Sequence, residues 1–184
     1  MYLNGIVREL QELSNLPAGK SILEIGCGNG IGTRLINEYF KPAGFIATEY
    51  DESLVEIAQS KNKDSNVHVE AGNAADMRFA DNEFDAVIGL SVIHHIPNWE
   101  DSLNELQRVL KPGGLLIIKE LSIDTFETPF GRIARRFVEH PYDDMFGKNE
   151  FLDYLQQKGL KILVTRPHSM LGLLTDFYLV AQKE

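Results

Sequence analysis

Cysteine occurs once, at Cys27, so no internal disulfide can form, and nothing points to an oxidising compartment or a structural zinc site. Long apolar runs are missing as well. The most apolar late stretch, Met170 to Ala181, is broken by Asp176 and reads as a buried strand, so no membrane span is expected. Positive charge is scarce: 18 Lys and Arg stand against 27 Asp and Glu, for a formal net charge of −9. Nucleic-acid binding draws most of its non-specific affinity from Lys and Arg neutralising phosphates, so this composition disfavours a polyanionic partner. The best local basic patch, Arg132, Arg135 and Arg136, reads more simply as a solvated helix face. No basic, apolar, cleavable leader opens the chain, which makes the cytoplasm the expected setting. Internal repeats and low-complexity tracts are absent, and the oligomeric state is left open.

What is present is an ordinary globular composition over 184 residues, 43% apolar and 24% charged, enough for one domain with its own core. Leu3, Ile6, Leu10 and Leu13 recur at helical spacing, so the first fifteen residues read as an amphipathic helix ended by Pro17 and Gly19. Strand and helix patterns then alternate: strand 21–25, helix 31–40, strand 44–49, helix 52–60 capped by Asp51, and strand 67–71. That is the rhythm of a parallel sheet covered on both faces, an α/β fold. Only a polar link, Gly72 to Glu83, precedes strand 84–90, so the helix usual at that point is shortened or absent. Asn98 is the expected cap of a helix whose Trp99, Leu103, Leu106 and Leu110 face inward. Lys111, Pro112, Gly113 and Gly114 form a turn with type II chemistry, and a strand from Leu115 to Leu121 follows. Pro129, Gly131, Pro141 and Gly147 break the rhythm over 122–148, an insertion expected to act as a lid or substrate wall. A helix from Asn149 to Lys158 and strands near 160–165 and 174–182, joined tightly, close the chain.

The run from Ile22 to Gly30 carries the most information, because an apolar strand ends there in a loop with Gly26, Gly28 and Gly30 in alternation. Backbone without a Cβ turns sharply and approaches a ligand closely, and the next helix offers unpaired N–H groups. The dinucleotide fingerprint Gly-x-Gly-x-x-Gly fails in both registers, since Ile31 and Thr33 stand where its third glycine belongs. In open α/β sheets the ligand sits beyond the carboxyl ends of the strands, so Glu49 and Tyr50 after the second strand, and Asn73 and Ala74 after the third, are the next candidates. Asp51 has the spacing of a helix cap. A turn former is the alternative for Asn73, and core packing the alternative for Tyr50.

The motif Glu24-x-Gly26-x-Gly28-x-Gly30 resembles the first motif of class I S-adenosylmethionine-dependent methyltransferases. Residues Phe84 to Ile96 resemble that family's fourth-strand pattern, and Arg108 to Ile118 the segment leading into its fifth strand; the resemblance covers roughly Lys20 to Lys183. It implies a three-layer Rossmann-like sandwich around a seven-stranded, mostly parallel sheet of order 3-2-1-4-5-7-6 with the last strand antiparallel. It implies S-adenosylmethionine as cofactor and S-adenosylhomocysteine as product. The backbone of Gly26, Cys27, Gly28 and Gly30 would lie along the methionine part, with Glu24 ordering its charged end and Leu90 beside it. Glu49 would accept from the ribose hydroxyls, Tyr50 lie on the adenine, and Asn73 and the Ala74 N–H meet its edge.

The acceptor is less constrained. No Asn/Asp-Pro-Pro-Tyr motif follows the fourth strand, where Leu90, Ser91 and Val92 stand, and no Pro-Cys nucleophile exists, so planar amino groups and cytosine ring carbons are excluded as family-type acceptors. In-line alignment supplies much of the acceleration in methyl transfer, and a base is needed only for acceptors that must lose a proton. His94, His95 and His140 are the candidates for that base, with Glu120 an outside choice, and no metal is expected. An oxygen, nitrogen or carbon of a small-molecule acceptor is the leading expectation. A protein or peptide acceptor, or a non-catalytic subunit that binds S-adenosylmethionine, are the alternatives.

Overall fold

A computed structural model describes residues 2–137, 140–170 and 174–184. The elements run α1 (Tyr2–Ser14), β1 (Ser21–Ile25), α2 (Ile31–Phe40), β2 (Gly44–Glu49), α3 (Glu52–Lys61), β3 (Val67–Ala71) and β4 (Phe84–Leu90). A 3₁₀ turn (Ile93–His95), α4 (Trp99–Val109), β5 (Leu110–Glu120), α5 (Asp124–Glu127), α6 (Pro129–Ala134), α7 (Lys148–Gln157), β6 (Leu160–Met170) and β7 (Leu174–Lys183) follow. The sheet has the order β3-β2-β1-β4-β5-β7-β6; β1 to β5 are parallel, and β7 pairs antiparallel with both neighbours. Class, strand order and the antiparallel last strand are those expected. The link between β6 and β7, expected to be tight, lies outside the described residues.

Continuous apolar runs make the central strands because both sheet faces are covered. Ile22 packs into one cluster with Ile6, Val7 and Leu10 of α1 and Ile36 of α2, while Leu23 and Ile25 enter the other with Trp99, Leu103 and Leu106 of α4 and Phe151 of α7. Successive residues of β5 divide the same way: Ile117 to the first cluster, Leu116 and Ile118 to the second. Strand alternation thus joins two helical layers through one sheet.

Asp51 caps α3 as expected, accepting from the Ser53 N–H at 2.8 Å. Asn62 ends that helix, and its side-chain amide donates to both the Ala58 and Gly30 carbonyls, at 2.9 and 3.0 Å, which ties α3 to the glycine loop. The polar link after β3 contains no helix. Arg108 holds it instead, donating to the Met77 and Phe79 carbonyls, to Asp81 and to Glu105, while Glu105 accepts from the Met77 N–H.

Two expectations need correction. Asn98 occupies the N-cap position of α4, but its side chain makes no cap hydrogen bond; the amide donates to Asp101 Oδ2 at 3.0 Å, and only the Asn98 carbonyl receives helix N–H groups. β5 begins at Leu110, not Leu115, since Leu110 pairs with Phe84 before the register shifts to Leu115 against Ala86. The turn residues bulge out between those pairings, with Gly113 at φ +78°, the positive value that a type II turn requires.

Candidate functional site

The parallel register brings Ile25, Thr48, Ala71 and Gly89 to one end of the sheet, where the strands release their loops. A cleft of about 700 Å³ opens there. Its wall includes Gly26, Gly28, Glu49, Tyr50, Asn73, Ala74, Ser91, Val92 and His95. A second hollow, of about 560 Å³, lies along α1, but its charged lining is engaged with itself, as in the pair of Arg166 and Glu9 at 2.8 Å.

Gly26 has φ +61°, and a Cβ there would fall 2.1 Å from Val92 Cγ2, so only glycine lets the loop pass under the residues after β4. Gly28 has φ +55° and, by contrast, nothing within 4 Å of a Cβ position; its backbone is a bare wall of the cleft. Its N–H donates to Glu49 Oε2 at 2.8 Å, while Glu49 Oε1 accepts from the Tyr50 and Asp51 N–H groups at 2.8 and 3.1 Å. A carboxylate has about four acceptor positions, so Glu49 keeps one at Oε2. Tyr50 stands 79% exposed at the rim. Asn73 is a turn former here: its Oδ1 accepts from the Ala75 N–H at 3.0 Å, which leaves its amide donors to the cleft it lines.

Glu24, Cys27, Gly30 and Leu90 do not line the cleft. Glu24 lies below the loop, 1% exposed, and a side chain at Gly32 in the first turn of α2 would meet its Oε1 at 3.0 Å. Burial pushes its carboxyl up to about 8; the Thr33 hydroxyl opposes the shift and the charge of Glu49 adds to it. Its Oε2 is buried with no hydrogen bond of good geometry among the described residues. The Cys27 thiol, buried beside Glu24 and Glu49, is pushed up to about 12 and is no nucleophile at neutral pH. Gly30 packs on Ala58 and Asn62.

The three candidate histidines are neighbours, although only His95 lines the cleft. His94 is 2% exposed, and its Nδ1 bonds to the carboxylate of Glu120, itself fully buried. That carboxylate also accepts from the Val92, Ile93 and Leu121 N–H groups, which fixes the turn after β4 to the end of β5. Partial burial, then the His94 and His140 rings, push His95 down to about 4, with Glu120 opposing. His140 is lowered too, by burial and then by His94. Both imidazoles are neutral at physiological pH.

One group escaped the motif reading. Ser91, on the cleft wall at φ +61°, accepts from Lys119 Nζ at 2.8 Å; Lys119 pairs with Asp176 at 2.6 Å, and Asp176 with His168 Nδ1 at 2.5 Å. Lys119 and Asp176 are both almost fully buried. Each interrupts an apolar run, Leu115 to Ile118 and the stretch ending at Ala181, and a lone charge in such a run is the signal that marks them.

The insertion carries α5 and α6, and its ends are tied together by Ile123 N–H to the Phe146 carbonyl at 3.0 Å and Lys148 N–H to Asp124 Oδ2 at 2.8 Å. Arg132 and Arg136 are exposed around α6, and Arg135 lies over the Tyr142 ring at 4.4 Å. No helix among the described residues is long and apolar enough to cross a membrane.

The family model described as a methyltransferase domain matches residues 23–118. A demethylmenaquinone methyltransferase of Staphylococcus carnosus (strain TM300) is 33% identical over 148 residues, 77% of this chain and 61% of that protein. A fatty-acid O-methyltransferase of Mycolicibacterium smegmatis is 31% identical over 99 residues, 54% of this chain and 36% of that protein. The chain thus spans less than two thirds of the length of either curated relative. A solved S-adenosylmethionine-dependent methyltransferase from Mesorhizobium loti superposes with a TM-score of 0.80 at 15% identity, covering 98% of this chain and 100% of that one, a likeness of fold.

Proposed function

The chain belongs to the methyltransferase-domain family, and from that premise we propose that it transfers the methyl group of S-adenosylmethionine to an oxygen, nitrogen or carbon of a small molecule, releasing S-adenosylhomocysteine. The cleft at the strand ends carries this reading: one wall is bare glycine backbone, and facing groups offer a free carboxylate position and free amide donors. When bound, the cofactor supplies an electrophilic methyl on a sulfonium. The chain's own residues do the rest. Glu49 would take the ribose hydroxyls at Oε2, Asn73 and the Ala74 N–H the adenine edge, and Tyr50 the ring face. Gly26 and Gly28 would run along the methionine part, and Glu24, buried below them, would order its charged end.

His95, with Ile96 and Pro97 beside it, would form the acceptor end, and the neighbouring imidazoles of His94 and His140 would serve an acceptor that must lose a proton. The two relatives are named for a demethylmenaquinone and a fatty acid, which favours an apolar acceptor. The insertion 122–148 would serve as its wall. The single cysteine and the acidic composition suit a cytoplasmic setting.

Calorimetry tests the reading. S-adenosylmethionine and S-adenosylhomocysteine should each bind the folded chain, Glu49→Ala should weaken both by about tenfold or more through lost charge-assisted hydrogen bonds, and Asp51→Ala should weaken neither comparably. No binding of either ligand to folded protein overturns the proposal. Methyl-labelled cofactor incubated with a metabolite extract should then yield a labelled small molecule.

A further inference from the structure

Two adjacent imidazoles and a third from far along the chain meet beside the cleft. His94 and His95 end the 3₁₀ turn after β4, and His140 reaches them from the insertion. The ring centroids are 4.0 Å apart for His94 and His95, 4.9 Å for His95 and His140, and 5.3 Å for His94 and His140. One ring nitrogen of each lies within 4.8 Å of those of the other two.

Simple ring packing does not account for the polar atoms. His140 Nδ1 is buried and has no hydrogen-bond partner among the described residues, a position that packing alone would fill with carbon. His94 gives its Nδ1 to Glu120, whose other hydrogen-bond partners among the described residues are backbone N–H groups, so the ring orientation is fixed and Nε2 is the nitrogen left for a further ligand. A carboxylate behind an imidazole, fixing its tautomer and turning the second nitrogen outward, is the support found behind metal-bound histidines.

We propose that His94, His95 and His140 bind one divalent late first-row transition cation, such as zinc, at the acceptor end of the cleft. Three nitrogen donors with no carboxylate among them suit zinc, cobalt or nickel and disfavour magnesium and calcium, which demand oxygen. Zinc–nitrogen bonds of about 2.1 Å in tetrahedral geometry place the nitrogens about 3.4 Å apart, so the rings have to close by up to about 1.4 Å. Three protein ligands leave a coordination position open, and His95 sits on the cleft wall, so that position faces the acceptor. There the cation would take an acceptor oxygen and lower its pKa by Lewis acidity, so that its proton passes to solvent before the oxygen receives the methyl, a role that rests on the methyl-transfer reading above.

Cobalt(II) titration of the chelator-treated full chain tests the site. One equivalent should bind with the visible absorption of a nitrogen-ligated site, and zinc should displace it. His95→Gln and His140→Gln should each weaken cobalt binding about tenfold or more, whereas His68→Gln, on the exposed side of β3, should leave it unchanged. Both test residues lie toward the surface, and circular dichroism verifies that the variants are folded. Absence of stoichiometric cobalt binding by folded protein, or wild-type affinity in either variant, overturns the proposal. Calorimetry with S-adenosylmethionine on the same samples separates the two readings: cobalt held by the histidines without cofactor binding upholds the site and removes the methyl-transfer role, and the reverse removes the site alone.

Discussion

Glu24 shows how burying one carboxyl makes stability depend on pH. It is held below the glycine loop, away from the cleft lining, and burial raises its pKa to about 8. In the unfolded chain the same carboxyl titrates near about 4.3. Between those values the folded state holds a proton that the unfolded state has released, so stability falls as pH rises through that window. Glu24→Gln keeps the shape and cannot ionise, and it should therefore lose less stability than the wild type between pH 5 and pH 8 in urea unfolding. Equal losses in the two proteins would assign the pH dependence to other groups. Lys119 and Asp176 are a different case, since each has an opposite charge beside it. The pair holds Ser91 on the cleft wall and extends to His168, so it positions the loop after β4 and does not itself reach the cleft lining.

Among the elements, the link between β3 and β4 depends most on a single side chain. Where a crossover helix would supply its own hydrogen bonds, residues 76–81 are held by Arg108 from α4, through two carbonyls and two carboxylates that raise its pKa further above the ordinary guanidinium value. Hydrogen bonds to a charged group contribute about 1.5–3 kcal/mol each, partly screened at this half-exposed position. Arg108→Ala should accordingly cost about 2–3 kcal/mol in denaturant unfolding and should weaken cofactor binding through the loosened Asn73 loop. A loss below about 0.5 kcal/mol would mean that the link is held by its own turn. The absence of this helix was legible, because no helical periodicity runs from Gly72 to Glu83; the clamp was not, because Arg108 lies far away in the chain and its amphipathic helix accounts for it equally well. Asp51 as a cap was legible for the opposite reason, as its bond to Ser53 is local. The glycine spacing around Gly28 pointed to the cleft, while His140 had no local pattern to announce that the insertion returns it to His94 and His95. Chemistry assembled within a few residues is readable from spacing; chemistry assembled by tertiary contact is not.

For the molecule as a whole, the cleft draws on four separate strand-end segments, Gly26 to Gly28, Glu49 to Tyr50, Asn73 to Ala74 and Ser91 to Asn98, joined through one sheet that carries a core on each face. A ligand touching all four binds only while β1 to β4 hold their register, and has no comparable site on the unfolded chain. Its binding energy is therefore added to global stability by mass action, about 2.7 kcal/mol at a hundred times Kd. For a chain of this size each kcal/mol moves Tm by about 2–4 °C, so S-adenosylhomocysteine at that concentration should raise Tm by about 5–11 °C. NAD at the same concentration should produce no shift, because Ile31 and Thr33 remove the glycine its pyrophosphate needs. Glu49→Ala, tested at the wild-type concentration, should lose roughly half of the shift, since a tenfold weaker Kd removes about 1.4 kcal/mol from the linkage. A Tm raised by NAD, or unmoved by S-adenosylhomocysteine in folded protein, would assign the strand-end cleft to a different ligand.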